Sequence, residues 1–381
     1  MSFSASNRFT VLDSWRGIAA CIIALFHFRI NSHIQDLSFF DQAGLFVDFF
    51  FVLSGFVIFA NYESRLREGY SFWRFMFLRF GRLYPLHFFI LWVHIGWEIL
   101  QIFIPFLSGF AQFKPFGQPG ESLDFIAANF LLIHSLGFYD YSTVPLNGAS
   151  WSISTEFYAY VVFALAIILF KKHVKYAVVL LCVAAGMFLY LNNINLTSTL
   201  KYGFIRCLYG FGVGALLWYV YQFFEGKIRS IKWPVWLWNA FEILLCIGGF
   251  VFLTYGRGDV TMLIVPFFAL VIFVFSFEKG IVSRFLTMRF FLLLGVLSYS
   301  IYMVHSFVGG KLASFVQLLD GYTPYSFITY VDDKELLGGS IWQGDAITIF
   351  YMVVVVTCSF VTYKIIEEPC RKYSRKLVGR S

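Results

Sequence analysis

The chain has 381 residues, of which 59% are apolar, only 13% are charged and 50 are Phe. This composition excludes a set of soluble domains, because long apolar runs separated by short polar loops recur through nearly the whole chain. The net charge of +7 does not indicate nucleic acid binding, because the basic residues concentrate in loops between apolar runs. The sequence therefore predicts an all-α polytopic membrane protein.

Ten apolar stretches have the length and composition of membrane-spanning helices. They cover residues 16–31, 44–62, 83–105, 150–170, 175–192, 202–222, 235–255, 260–278, 290–315 and 345–366. A further apolar stretch, residues 124–138, is too short for a span, and we interpret it as a re-entrant or outer-leaflet helix. Eleven spans are the alternative. We expect one membrane-embedded domain over residues 1–381.

The basic residues are distributed asymmetrically between the loops. With the N-terminus inside, the cytoplasmic segments are 1–16, 63–82, 171–175, 223–234, 279–289 and 364–381. These segments hold 22 of the 29 Lys and Arg residues, whereas the opposite loop 321–345 is acidic. The positive-inside rule then predicts that both termini are cytoplasmic. Because no small-residue cleavage site follows the first apolar stretch, we expect it to be a retained helix.

Arg16 and His27 are ionisable residues within this first apolar stretch. A charge in lipid costs at least about 2.5–3.5 kcal/mol, so such groups usually face a protein interior. His27 follows Arg16 by eleven positions, which corresponds to three helical turns plus about 20° and places both side chains on one face about 16 Å apart. This pattern indicates a functional site that extends through the bilayer.

The cytoplasmic segment 63–82 contains a dense group of arginines. Arg79 and Arg82 are three residues apart on one expected helical face at the membrane entrance. Two guanidinium groups in this position favour binding of the phosphates of a nucleotide-bearing donor. The alternative is anchoring to anionic lipid, which we prefer for the other arginines of the segment.

Carboxylates and imidazoles are predicted to form a layer in the outer half of the bilayer. Asp48, Glu156 and His305 join His27 there, so an extended pantetheine arm would have to cross from the arginines to this layer. Each has an alternative interpretation. Asp48 would cap a helix, Glu156 would pair with a buried arginine such as Arg206, and His305 would bond a neighbouring helix.

Six motifs occur in order along the chain. They are Arg16-x10-His27, DFFFVLSGF at 48–56, FLRFGRLYP at 77–85, WSISTEFYAY at 151–160, LSYSIYMVH at 297–305 and IEEPCRK at 366–372. In this order, on about ten spans, they resemble acyltransferase family 3. This family consists of integral membrane acyltransferases that modify sugars of surface polysaccharides and lipid-linked glycans. The resemblance covers essentially the whole chain.

The resemblance implies roles for residues at matching positions. Arg16 and His27 match the family's first-helix basic residue and its catalytic histidine, and Arg79 and Arg82 match its paired-arginine motif. Ser54 matches the serine of its Ser-Gly-Phe turn, which we assign to donor binding together with the three arginines.

Glu156 matches the acidic residue of the family's WSxSxE motif. Here Glu156 is followed directly by Phe157, whereas many members read Val-Glu-Glu-Gln-Phe-Tyr.

These observations lead to a hypothesis for the reaction. An acyl group, acetyl in the first instance, moves from cytoplasmic acyl-CoA to a hydroxyl of a carbohydrate acceptor at the inner membrane of a bacterium. His27 acts as general base, oriented by Glu156 or Asp48, with His305 in the same layer. A covalent acyl-His27 intermediate is the alternative. We expect no metal, because the histidines are scattered over separate helices without ligand spacing.

The competing functional class is a membrane transporter of a glycan or small metabolite. Arg16, His27 and Glu156 would then form a substrate or proton relay. We find neither an inverted repeat nor paired broken helices in the sequence, which many transporters have. The sequence leaves open whether the chain forms a homo-oligomer.

Overall fold

The computed structural model describes residues 9–104, 115–117, 121–139, 146–231, 233–331 and 334–379. Over these residues it is an all-α polytopic membrane protein. The helices are α1 (Thr10–Phe26), α2 (Phe46–Arg67), α3 (Phe72–Phe103), α4 (Leu123–Phe130), α5 (Trp151–Phe170), α6 (Val174–Leu191), α7 (Gly203–Ser230), α8 (Val235–Tyr255), α9 (Ile264–Phe275), α10 (Ile281–Leu286), α11 (Arg289–Tyr322), α12 (Ile341–Thr362) and α13 (Glu368–Gly379). A π-helical turn, Tyr363–Glu367, joins α12 to α13.

Eight helical segments of the described chain are long and apolar enough to cross a membrane. One of them, Gly148–Leu191, contains two of the predicted spans. These are α5 and α6, which separate at Lys171, where φ is 44°. The first predicted span corresponds to α1, which has 17 residues. Each of the ten predicted spans thus coincides with a helix, and the predicted fold class is confirmed.

The boundaries of several of these helices differ from the prediction, and the starts of two of them bear on the predicted site. Helix α1 begins at Thr10 rather than at residue 16, and α3 begins at Phe72 rather than at residue 83. The polar residues at both starts depress the local hydropathy, although one of them, Ser14, is buried and donates to the Leu286 carbonyl. Arg16 therefore lies inside α1 rather than at its first residue, and Arg82 lies within α3 rather than ahead of it.

The stretch predicted as a re-entrant helix forms the short helix α4. Its eight residues rise only about 12 Å, whereas the hydrocarbon core is about 30 Å thick, so α4 does not span. The helix ends at Phe130 and turns follow, so the predicted extent to residue 138 is wrong. His87 of α3 binds the Asn129 carbonyl through Nε2 at 2.9 Å, and His134 Nε2 lies 3.2 Å from Ser150 Oγ.

Helices α1 and α11 cross in close contact at two glycines. A Cβ on Gly17 would overlap the backbone of Leu294 and Gly295, and a Cβ on Gly295 would overlap the backbone of Asp13. Small residues are needed where helix backbones approach this closely. His27 and His305 each follow their glycine by ten residues, or about 15 Å of helix. The crossing therefore brings the two histidines together.

Replacing Gly295 by Ala is expected to destabilise the fold by about 1–3 kcal/mol, because the new methyl group would separate α1 from α11. Gly310, on the same helix, is the matched control, because a Cβ there would meet nothing within 4 Å. Gly310→Ala should be neutral or slightly stabilising. Thermal unfolding of both variants in detergent measures the difference, and equal unfolding midpoints would contradict a glycine-dependent crossing.

A small hairpin lies in the acidic loop between α11 and α12, so this loop is not entirely irregular. Strand β1 (Ile328–Val331) pairs antiparallel with β2 (Lys334–Leu337), with Ile328 opposite Leu337. Ile30 forms a parallel bridge with Leu337, and Asn31 N donates to the Leu337 carbonyl at 2.7 Å. The hairpin thereby holds the segment that follows His27.

Candidate active site

A cavity of about 530 Å³ lies among α1, α2, α3, α5, α11 and α13. Its charged wall consists of six arginines and three acids: Arg16, Arg65, Arg79, Arg82, Arg371, Arg375, Asp13, Glu156 and Glu367. Positive charge is therefore in excess. The arginines lie toward the end at which α2 ends and α3 and α13 begin, so this end is suited to an anionic ligand.

Glu156 is held in the cavity wall by two hydroxyl groups. Ser54 Oγ and Tyr160 OH both donate to its Oε1. Helix α2 brings Ser54 into this position because Gly55 packs against α7, where a Cβ would overlap the Phe211 carbonyl. Two of the predicted site residues, Ser54 and Glu156, therefore meet in one hydrogen-bonded group.

The predicted arginines also line this cavity. Arg79 Nη2 donates to Tyr62 OH at 3.1 Å, and its guanidinium lies 5.0 Å from the centre of the Tyr62 ring. Its Nε is buried and has no hydrogen-bond partner among the described residues. Arg82 lies one turn later on α3 and also lines the cavity. Arg16 lines the cavity from α1, and its Nη1 is 4.0 Å from Asp13 Oδ1.

The sequence analysis did not assign five charged residues of the wall to the site: Asp13, Arg65, Glu367, Arg371 and Arg375. Glu367 is buried and accepts from Ser300 Oγ at 2.8 Å. Arg371 and Arg375 project from α13, and Arg371 Nη2 donates to Tyr363 OH at 3.1 Å. The spacing of four residues between the two arginines was the available signal, because it places them on one helical face.

His27 lies outside this cavity and packs against His305. The two ring centroids are 5.1 Å apart, and His27 Nδ1 bonds the Ile23 carbonyl at 2.9 Å. His27 is exposed, whereas His305 is buried and its Nε2 has no partner in the described part of the chain. In the described structure, neither Glu156 nor Asp48 contacts the His27 ring. The contacts of this ring are instead with the Ile23 carbonyl and the His305 imidazole.

Tyr302 connects the cavity to the histidine pair. Its hydroxyl group is 2.8 Å from Ser152 Oγ, and its ring lines the cavity. The same ring lies 5.8 Å from the centre of the His305 ring. One aromatic side chain therefore separates the arginine-lined cavity from the two imidazoles.

Asp48 forms a buried ion pair instead of joining the cavity. Its Oδ1 accepts from Arg206 Nε at 2.9 Å and its Oδ2 from Arg206 Nη2 at 2.7 Å. The Arg206 guanidinium also lies 5.1 Å from the centre of the Trp151 ring. Arg206 therefore pairs with Asp48 and not with Glu156, the partner that the sequence suggested. The geometry is that of a structural pair, and the catalytic role of Asp48 stays a prediction.

Comparison with known proteins adds three findings. The family model described as "Acyltransferase domain" matches residues 9–364 of the chain. A curated protein, "Protein 2 in picA locus" of Rhizobium radiobacter, is 33% identical over 173 residues, which cover 43% of this chain and 85% of that protein. No solved structure matches the chain.

Proposed function

Because the chain belongs to the acyltransferase family whose model matches residues 9–364, we propose that it is an O-acyltransferase using acyl-CoA, with acetyl as the first acyl group to test. The acceptor is a hydroxyl of a carbohydrate. The observation that carries the proposal is the arginine-lined cavity together with Tyr302, whose ring lines this cavity and also packs against His305, the neighbour of His27. We place the protein in a bacterial inner membrane with both termini in the cytoplasm.

The donor enters at the arginine-rich end of the cavity, which the positive-inside rule places on the cytoplasmic side. Acyl-CoA carries its phosphates at one end and its thioester at the other. Forked guanidinium groups bind phosphate oxygens through charge-assisted hydrogen bonds. Arg79 and Arg82 hold the phosphates, Arg16 lies deeper, and Glu156 with Ser54 positions the arm that carries the thioester.

The acceptor approaches His27 from the opposite side, because His27 is exposed and lies outside the donor cavity. Its imidazole takes the proton of the sugar hydroxyl, and the hydroxyl oxygen attacks the thioester carbonyl. The C–S bond then breaks, and the CoA thiolate takes the proton from the imidazolium. The thioester reaches His27 when the Tyr302 side chain moves aside.

A covalent route uses the same residues. The imidazole of His27 first attacks the thioester and releases CoA, and the sugar hydroxyl then displaces the imidazole from the acyl group. His305 acts as a positioning residue in both routes, because its ring packs directly against His27.

Combining Arg79→Ala with Arg82→Ala is expected to weaken acetyl-CoA binding by about a hundredfold or more, because two charge-assisted phosphate contacts are lost. Binding of labelled acetyl-CoA to purified protein in nanodiscs measures the loss. Lys172→Ala with Lys175→Ala is the matched control, because both lysines are exposed and lie outside the cavity. Absence of acetyl-CoA binding by the unaltered protein would refute the proposal and favour the transporter, which instead requires a membrane gradient.

A further inference from the structure

We propose that the C-terminal helix α13 supplies a second phosphate subsite at the cavity mouth, which recognises the 3′-phosphate on the ribose of CoA. Arg371 and Arg375 form it together with Arg79. This inference rests on the proposed function, because it names a part of the donor that the cavity would bind. Three features of the structure support it.

The first feature is the distribution of charge along the cavity. All three acids of the wall, Asp13, Glu156 and Glu367, act electrostatically on Arg82, which is less exposed than Arg375. The charged groups that act on Arg375 at the mouth are instead Arg371, Arg79 and Arg82. The mouth therefore holds several like charges close together, and an anion with two charges would relieve their repulsion.

The second feature is the packing that brings these arginines together. A Cβ on Gly81 would lie only 2.5 Å from Ser374 Cβ and 2.6 Å from Ser374 Oγ, so α13 docks directly on α3 at this point. Gly81 lies between Arg79 and Arg82, and Ser374 lies between Arg371 and Arg375. Ser374 is buried in the contact. The close approach of α13 to α3 therefore places both arginine pairs in the wall of the same cavity.

The third feature is the number and orientation of hydrogen-bond donors. Arg371 is held by Tyr363 at 3.1 Å, and Arg79 by Tyr62 at 3.1 Å, which fixes part of each guanidinium and leaves other donors for a ligand. The diphosphate of CoA engages the deeper arginines. The separate ribose phosphate is a monoester with a charge of about −1.5 to −2. It matches the arginines at the mouth, Arg371, Arg375 and Arg79.

The test compares acetyl-CoA with acetyl-dephospho-CoA, which lacks only the 3′-phosphate. The unaltered protein should bind acetyl-CoA about tenfold to a hundredfold more tightly, as expected for charge-assisted contacts to one phosphate. Arg371→Gln with Arg375→Gln should lose most of this preference, while its affinity for acetyl-dephospho-CoA stays near that of the unaltered protein. Binding is measured in nanodiscs without anionic lipid and again with it.

Lys372→Gln with Lys376→Gln is the matched control, because it removes the same charge from the same helix. Both lysines are exposed outside the cavity, and Lys372 Nζ lies 3.0 Å from Glu368 Oε1. The control should keep the full preference for acetyl-CoA. Should the double arginine variant fail to fold, Arg375→Gln alone gives the same readout, because this side chain is exposed.

Two results would overturn the inference. One is equal binding of both ligands by the unaltered protein, and the other is a preference that survives in the arginine variant. A preference that survives in the arginine variant would be expected if Arg371 and Arg375 bind lipid headgroups. In that case anionic lipid should change the stability of the unaltered protein more than that of the variant. If the unaltered protein binds neither ligand, the proposed function itself fails, which is a separate outcome.

Discussion

Replacing His27 by Ala is expected to abolish acyl transfer and to leave acetyl-CoA binding unchanged. His27 lies outside the donor cavity and is exposed, so the phosphate contacts do not depend on it. A general base contributes about 10²–10⁴ to the rate, and a larger loss is expected if the imidazole carries the acyl group. The measurement follows label from acetyl-CoA into a panel of glycan acceptors, with donor binding determined separately.

His33→Ala is the control for this substitution. His33 is also an exposed histidine, six residues further along, and it pairs with Asp345 at 2.7 Å rather than facing His305. Transfer should continue in this variant. Retained turnover in His27→Ala would contradict the assignment, and loss of donor binding would place His27 in the donor site instead.

The same two proteins separate the two chemical routes. Label that stays on the unaltered protein without acceptor, and is missing from His27→Ala, would favour an acyl-His27 intermediate. Label that never stays on the protein would favour direct attack by the sugar hydroxyl.

Replacing Asp48 by Ala is expected to lower the free energy of unfolding by about 3–5 kcal/mol, because Arg206 would remain as a buried charge without its partner. Arg206 is 2% exposed and Asp48 fully buried, so water does not compensate for the loss. Unfolding of the purified protein in mixed micelles measures the change. A change below about 1 kcal/mol, as found for exposed pairs, would contradict the structural role.

A double replacement decides between the structural and the catalytic role of Asp48. Asp48→Leu with Arg206→Met removes both charges, so most of the lost stability should return. If Asp48 is structural, this variant should fold and transfer acyl groups. A folded but inactive double variant would instead support the catalytic role predicted from the sequence.

The chain itself determines a large part of this protein. Composition and loop charge predict the all-α membrane fold, since a bilayer requires about 20 apolar residues per helix. The spacing of Arg79 and Arg82 predicts a shared helical face, because helical periodicity is a local property. The ordered motifs likewise indicate the family, which the comparisons confirm over residues 9–364.

Only the tertiary structure decided which side chains meet across helices. Spacing placed Arg16 and His27 on one face, but it did not show that Tyr302 separates their surroundings or that His305 adjoins His27. The sequence also suggested Glu156 as the partner of Arg206, whereas the structure pairs Arg206 with Asp48.

The physical reason lies in the helix crossings. Partners between helices depend on where the backbones approach, and single glycines such as Gly17, Gly81 and Gly295 set these points. A glycine in an apolar run looks the same in sequence whether it faces lipid or another backbone. The contacts of Arg371 and Arg375 with the cavity therefore follow from the docking of α13 on α3, which local sequence patterns do not report.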